Sequence, residues 1–205
     1  MVTVVVRVWM PDRPGALGQV ASRIGAVRGD VLGIEILERG AGNAIDELTI
    51  ALPAVDLLSL LSAEIDAVDG VSVEDIRTVE ADRTDPNLAA LAAGAALAEA
   101  EREERLDILC AGVERIVEAD WVVVVRGEDV LARRGTAPEL EWLHAFLAGS
   151  GHLDELDDAL PSDLVWGHLA ASAITVAAGR AARPIHERER VRVSLLARLA
   201  DALVR

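Results

Sequence analysis

Between residues 2 and 79 the hydrophobic repeat switches twice from strand spacing to helical spacing and back. This order restricts the fold more than any other feature of the chain. Residues 2–10 alternate, with Val4, Val6, Val8 and Met10 on one face and Thr3, Val5, Arg7 and Trp9 on the other. Leu17, Val20, Ala21 and Ile24 then recur at helical spacing over 16–27, until Gly29-Asp30. Alternation returns over 31–38, with Leu32, Ile34 and Ile36 on one face, and over 44–52, with Leu48, Ile50 and Leu52 inward. Gly40-Ala41-Gly42-Asn43 between them is hairpin chemistry. Pro53 stops the third strand; Leu57, Leu61, Ile65 and Val68 predict a second helix, and residues 71–79 a fourth strand. The order strand-helix-strand-strand-helix-strand is a split βαβ pattern, a sheet covered on one face by two helices. Val5 and Trp9 fall on the other face, which is open unless something covers it.

The first strand-to-helix junction, Asp12-Arg13-Pro14-Gly15-Ala16-Leu17, also carries chemistry. Proline presets φ and glycine tolerates φ > 0, which suits a tight turn. The helix that follows starts with free N–H groups and a positive dipole end, able to hold a carboxylate without a dedicated side chain. Asp12 beside it suits an ammonium group. One short stretch thus offers both poles needed for a free amino acid; the alternative is a purely structural turn. The six residues resemble the ligand loop of the ACT family of regulatory domains, whose usual form is Asp-x-Pro-Gly-x-Leu after the first strand. The resemblance spans roughly residues 1–80. It implies a ferredoxin-like fold, two copies paired side by side, and an amino acid held between this loop of one copy and the second strand of the other. Here that implies Asp12, Arg13, Pro14, Gly15, Ala16 and Leu17 from one copy, and Val31, Leu32, Gly33 and Ile34 from the other, where Gly33 leaves room for ligand.

Composition excludes several classes of partner. The chain has 205 residues, 35 acids against 20 basic side chains, all arginine, and a net charge of −15. Such a chain repels phosphate backbones and anionic membranes, so neither nucleic acid nor membrane is expected as a partner. No tyrosine and only 2% aromatic residues leave no base-stacking platform. The lone cysteine, Cys110, cannot form an intrachain disulfide and suits a reducing cytoplasm.

Residues 82–104 read as a helical linker, opened by Asp85-Pro86 as N-cap and first helical residue, with helix-forming sequence continuing to about Ala119. Gly94 and Gly112 are its weak points, Glu99–Arg105 a charge run, and Leu106, Leu109, Val113 and Ile116 keep a spacing compatible with a coiled-coil seam. Trp121–Val125 predicts a strand buried on both faces, and Val130–Arg133 its hairpin partner. Leu140, Leu143, His144 and Leu147 mark a helix, residues 149–162 a loop, Leu164–Leu169 and Ser172–Ala178 two more strands. Glu187–Val204 closes as a helix with Leu195, Leu199 and Ala202 inward and Arg188, Arg190, Arg192 and Arg198 solvated beside Glu187 and Glu189. This order, with the ending Ile174–Arg180, Arg183-Pro184-Ile185 and Glu187-Arg188-Glu189, resembles a GAF domain over residues 105–205. The resemblance implies a small-molecule sensor or dimerisation module.

Catalytic and metal-binding patterns are not found. The four histidines (His144, His152, His168, His186) form no zinc signature, Glu141 and His144 offer at most half a site, and Cys110 lies on an apolar stripe. No phosphate loop or nucleophile elbow appears. The sequence therefore predicts an α+β chain: an ACT-like domain over 1–81, a linker over 82–104 and a GAF-like domain over 105–205. The expected function is non-enzymatic regulation, by a free amino acid bound in a cytoplasmic homodimer, with no cofactor and no metal. The alternatives are a dimerising scaffold docked on a metabolic enzyme, or a sensor that uses only the GAF-like pocket.

Overall fold

The computed structural model describes residues 1–150, 163–181 and 183–204; the loop expected over 149–162 lies, from residue 151 on, outside them. The chain divides into two compact units, Met1–Arg83 and Thr84–Arg205. The described residues form a mixed α+β structure of two four-stranded antiparallel sheets and six α-helices.

In the first unit β1 (Val2–Pro11) leads to α1 (Ala16–Ala26), then to β2 (Asp30–Gly40) and β3 (Asn43–Leu52). A short 3₁₀ turn, α2 (Leu58–Asp66) and β4 (Ser72–Val79) follow. The sheet order is β2-β3-β1-β4. The inward set expected from alternation is buried: Val4, Val6, Val8, Met10, Leu48, Ile50 and Leu52 pack with Val20 and Ile24 of α1 and Leu61 and Ile65 of α2. The β2–β3 hairpin closes between Gly40 and Asn43, with Ala41 at φ 49° and Gly42 at φ 79°, as a type I′ turn requires. The sheet's other face carries ions. Arg7 and Glu47, opposed on β1 and β3, are 2% and 5% exposed and joined at 2.7 Å. Val5 on that face is buried, whereas Trp9 is 41% exposed and donates its indole N–H to Glu74 at 2.9 Å.

In the second unit α3 (Pro86–Glu99) and α4 (Arg105–Val117) precede β5 (Trp121–Arg126), β6 (Asp129–Gly135) and α5 (Leu140–Ser150). Then come β7 (Leu164–Leu169), β8 (Ile174–Gly179) and α6 (Glu187–Val204), with sheet order β6-β5-β8-β7. β5 is buried on both faces, as the unbroken valine run predicts: Val122 and Val124 face α3, α4 and α6, while Trp121, Val123 and Val125 face Leu143 of α5. Asp85 caps α3 by accepting from the N–H groups of Asn87 and Leu88 at 2.9 and 3.0 Å.

The structure corrects four expectations here. The helix expected to run to Ala119 breaks at Ala100, which is extended (φ −77°, ψ 152°), because α3 folds back onto α4 and the charge run is the exposed connection. Gly94 and Gly112 are not weak points but close approaches: a Cβ on Gly112 would stand 2.9 Å from Ala93 Cβ and 3.2 Å from Leu196, and one on Gly94 2.9 Å from Leu199. Leu109, Val113 and Ile116 do not form a two-helix seam; they lie in the core of their own unit, in one cluster with residues of α3, α6 and the sheet. Finally, α6 is rotated from its expected phase. It buries Glu189, Arg192, Val193, Leu196, Ala197, Ala200 and Asp201, while Leu195 and Leu199 are 53% and 41% exposed and Ala202 is exposed.

Those buried charges have partners. Arg180 and Glu189 form a bidentate pair at 2.8 Å on both arms. Arg180 also donates to the carbonyls of Val117, Arg183 and Pro184, and Glu189 accepts from the N–H of His186 at 3.0 Å. Asp201 accepts from the N–H groups of Ala171 and Ser172 and from the Ser172 hydroxyl. Arg192 bonds Asn87 and Arg190 the Leu164 carbonyl, so these arginines are not the solvated face expected of them.

Candidate functional site

The loop after β1 is built by backbone bonds. Asp12 N–H donates to the Gly42 carbonyl at 2.9 Å, which ties the loop to the β2–β3 turn, and Arg13 N–H turns back to the Pro11 carbonyl at 2.8 Å. Gly15 is left-handed (φ 88°, ψ −11°), with nothing within 4 Å of where a Cβ would stand. Conformation, not space, demands glycine there. Helical bonding starts at Gln19 N–H to the Gly15 carbonyl at 3.1 Å, and no side chain caps the first turn of α1. Asp12, Arg13, Pro14 and Gly15 are exposed, Leu17 is half-buried, and Ala16 is buried in the core. Arg13 turns toward Gln19 (3.4 Å). With Ser22, Arg23 and Asp69 it lines an open groove of about 430 Å³ on the helix side.

The second set of expected site residues lies elsewhere. Val31 pairs through Ile50 with Val4, near the start of β1, whereas the loop follows the end of that strand. From Val4 to Asp12 is roughly 26 Å along the strand at about 3.3 Å per residue. One chain therefore does not bring Val31, Leu32, Gly33 and Ile34 to its own loop. Val31 packs on the core; Leu32 and Ile34 are 57% and 49% exposed on β2, an edge strand. A Cβ on Gly33 would meet only ordinary contact, 3.9 Å from Thr49, so packing within the chain does not demand glycine there.

Two residues that sequence reasoning missed stand nearer the loop. Asp46 opposes Val8 and Ile36, and Arg39 opposes Ala44, which opposes Met10. Directly opposed residues share a face, so both belong to the helix-covered face at its loop end. Asp46 is 4% exposed, and its Oδ1 is buried with no hydrogen-bond partner. Burial pushes its carboxyl above the usual 3.8, the Arg39 charge pulls it down, and the Asp12 charge adds to the rise. The signal was in the alternation: Ala44, Asp46, Leu48, Ile50 and Leu52 are one set, and only its last three members had been placed inward.

On the opposite face Glu47 is held by three guanidiniums: Arg7 at 2.7 Å, Arg83 at 3.0 Å and Arg77 at 3.5 Å. Burial raises its carboxyl, but the three charges outweigh this and hold it below the usual range. This is a structural tie. In the second unit a cleft of about 310 Å³ lies among Val123, Arg133, Gly135, Thr136, Ala137, Pro138 and Leu140. Nearby, Trp142 stacks on Phe146 at 5.6 Å, and Phe146 meets Trp166 edge-on at 5.3 Å. Burial, then the Asp107 charge, pushes the Cys110 thiol up to about 12, so it stays protonated and inert. Among the described residues no group of three or more His, Cys, Asp or Glu could hold a metal ion, and no helix is long and apolar enough to cross a membrane.

No protein-family model matches the sequence, and no curated protein matches it. Among solved structures, part of the chain is similar to ACT domains. One is the ACT domain from the GTP pyrophosphokinase of Chlorobium tepidum, 19% identical, covering 38% of this chain and 97% of that one at a TM-score of 0.31. Another is an ACT domain protein from Streptococcus pneumoniae, 13% identical, covering 49% and 97% at 0.31. An unknown protein from Galdieria sulphuraria is 17% identical and covers 98% and 92% at 0.35. Likenesses this distant set no family for the chain, and its function is read from its own residues.

Proposed function

We propose that residues 1–83 form a ferredoxin-like regulatory module of the ACT type that binds a free amino acid, and that two copies pair along β2 to complete the site. The observation that carries this is the uncapped first turn of α1, opened by left-handed Gly15 and flanked by Asp12. Its amides suit a carboxylate and Asp12 suits an ammonium group. The order β2-β3-β1-β4, with both helices on one face, supports the ferredoxin-like assignment. The exposed Leu32 and Ile34 on an unpaired edge support the pairing. Antiparallel pairing of residues 31–38 about a two-fold axis would set residue 31 of one copy beside residue 38 of the other, next to the loop. The second unit, a sheet with helices on both faces, is read as GAF-like. The function is non-enzymatic, and the lone buried thiol suits the cytoplasm.

Leu32 and Ile34 equally favour a second reading, a dimerising scaffold that needs no ligand. Thermal melts with the twenty free L-amino acids separate the two. A ligand at about one hundred times its dissociation constant adds about 2.7 kcal/mol, a rise of about 5–10 °C for a chain this long. Asp12→Ala should lose about tenfold to a hundredfold in affinity. Gly15→Val should lose more, because a β-branched residue resists φ > 0. If both variants keep the full shift, the loop is only a turn.

A further inference from the structure

We propose that the outer face of α3 and α6 is a second self-association surface, on which two copies of the chain pair two-fold through Leu91 and Leu195. It lies in the second unit and is independent of the β2 pairing proposed above. Between Asn87 and Glu99, α3 has no polar side chain. A helix apolar all round belongs in an interior, yet only Ala89, Gly94 and Leu97 of α3 are buried. Its outer residues, Leu88, Leu91, Ala92, Ala95 and Ala98, are exposed. α6 runs alongside: Arg192 bonds Asn87, and Leu199 lies 2.9 Å from where a Cβ on Gly94 would stand. Both pairs are 105 positions apart, so the helices run parallel and Leu195 is level with Leu91 to within a residue. The outer row of α6, Val191, Leu195, Leu199 and Ala202, is exposed and apolar as well. The two rows form one patch.

Leu88, Leu91, Val191, Leu195 and Leu199 are 60%, 71%, 47%, 53% and 41% exposed. That leaves roughly 500 Å² of apolar side chain open to water, as much as the largest patch on most monomers. Two copies face to face would bury about 1,000 Å² before the alanines are counted, the threshold for a specific interface. Its size puts the pairing at the weak end, with a dissociation constant on the order of 100 µM. At low micromolar concentration the face stays open, and any dimer is the β2 one.

The occupant is a second copy because the face complements itself. A two-fold axis across the helices, at the level of Leu91 and Leu195, lays α3 antiparallel on α3 and α6 antiparallel on α6. Leu91 then meets Leu91, Leu195 meets Leu195 and Val191 meets Leu199, while Leu88 falls beside the small Ala95. Opposed helix dipoles favour this over a parallel arrangement. Neither row contains a charged side chain that would select an oppositely charged partner. A net charge of −15 turns the chain away from anionic lipid.

The test starts from the full chain carrying Leu32→Lys and Ile34→Lys, in which β2 cannot pair. Sedimentation equilibrium is followed from about 5 to about 500 µM, at low and at high salt. The expected result is a monomer at the low end and a dimer at the high end, favoured by salt, which screens the repulsion between two acidic copies. Adding Leu91→Glu and Leu195→Glu should weaken this pairing about tenfold or more and leave the melting temperature unchanged, since both side chains are exposed. On the parent chain, Leu195→Cys under mild oxidation should form a covalent dimer about tenfold faster than Leu88→Cys, because only position 195 meets itself within disulfide reach. The native thiol, Cys110, is buried. A chain that stays monomeric at every concentration overturns the proposal, as does pairing that the two glutamates leave intact, or equal cross-linking of the two cysteines. If neutral phosphatidylcholine vesicles bind the chain and the glutamate variant does not bind them, the face belongs to a lipid surface and the proposal falls. None of these outcomes depends on the amino-acid site.

Discussion

Glu189→Ala should be among the most damaging single changes in the second unit. The Arg180 and Glu189 side chains are 2% and 4% exposed. The guanidinium has two arms on Glu189 and further bonds to three carbonyls. Truncating Glu189 strands a buried cation among carbonyls and removes the carboxylate that accepts the His186 N–H. Breaking such a pair from one side costs about 3–5 kcal/mol, or about 6–20 °C in melting temperature at this chain length. Urea unfolding followed by tryptophan fluorescence would read it, since Trp121, Trp142 and Trp166 all lie in the second unit. The double variant Arg180→Met with Glu189→Leu should recover much of the loss, because it removes both charges and keeps the volume. A loss below about 1 kcal/mol for Glu189→Ala, the worth of an exposed pair, would show that water reaches the pair and would refute the reasoning.

Three further outcomes are expected. Gly112→Ala should lose about 1–3 kcal/mol by overpacking despite its better helix propensity, because Ala93 Cβ would stand 2.9 Å away; denaturant titration would show this. The neighbouring acids Asp46 and Glu47 should act on stability with opposite sign. Glu47 sits below its ordinary 4.5, so its contribution is full above that value and is lost as pH falls through the folded-state value. Asp46 sits above 3.8, so its contribution is full below that value and is lost as pH rises through the folded-state value. Asp46→Asn should therefore stabilise the chain at neutral pH, an advantage that vanishes below 3.8 in melts across pH. Leu32→Lys with Ile34→Lys should give a folded monomer by sedimentation if β2 is the pairing edge, since both side chains are already exposed; an unchanged dimer would place the interface elsewhere.

Local chemistry alone located the strands and most of the helices. The switch from strand to helical period, the Pro-Gly turn at 14–15, the Gly40–Asn43 hairpin and the Asp85-Pro86 cap each act within a few residues, and the structure forms each where that logic puts it. β5 was legible for the same reason: five apolar side chains in a row have no polar face, and both of its faces are buried. The Asp12–Leu17 loop was legible as geometry, because Gly15 and an uncapped helix start are local features.

What a charge does was decided by partners outside its own helix or strand. Glu189 looks like surface until Arg180, itself held by the Val117 and Pro184 carbonyls, pairs with it, and Asp201 until residues 171 and 172, 30 and 29 positions away, supply its donors. Those partnerships lie on the buried face of α6, with Leu195 outward and Leu199 at its edge beside Gly94, against the simplest hydrophobic count. Gly94 and Gly112, weak by propensity, became the points where helices touch. Asp46 followed the inward alternation of β3 but carries a charge, so hydrophobic counting passed over it. Periodicity follows from the spacing of side chains along one segment, so the sequence determines it alone. Burial of a charge depends on the free energy of a partner brought by another segment, so it belongs to the tertiary structure.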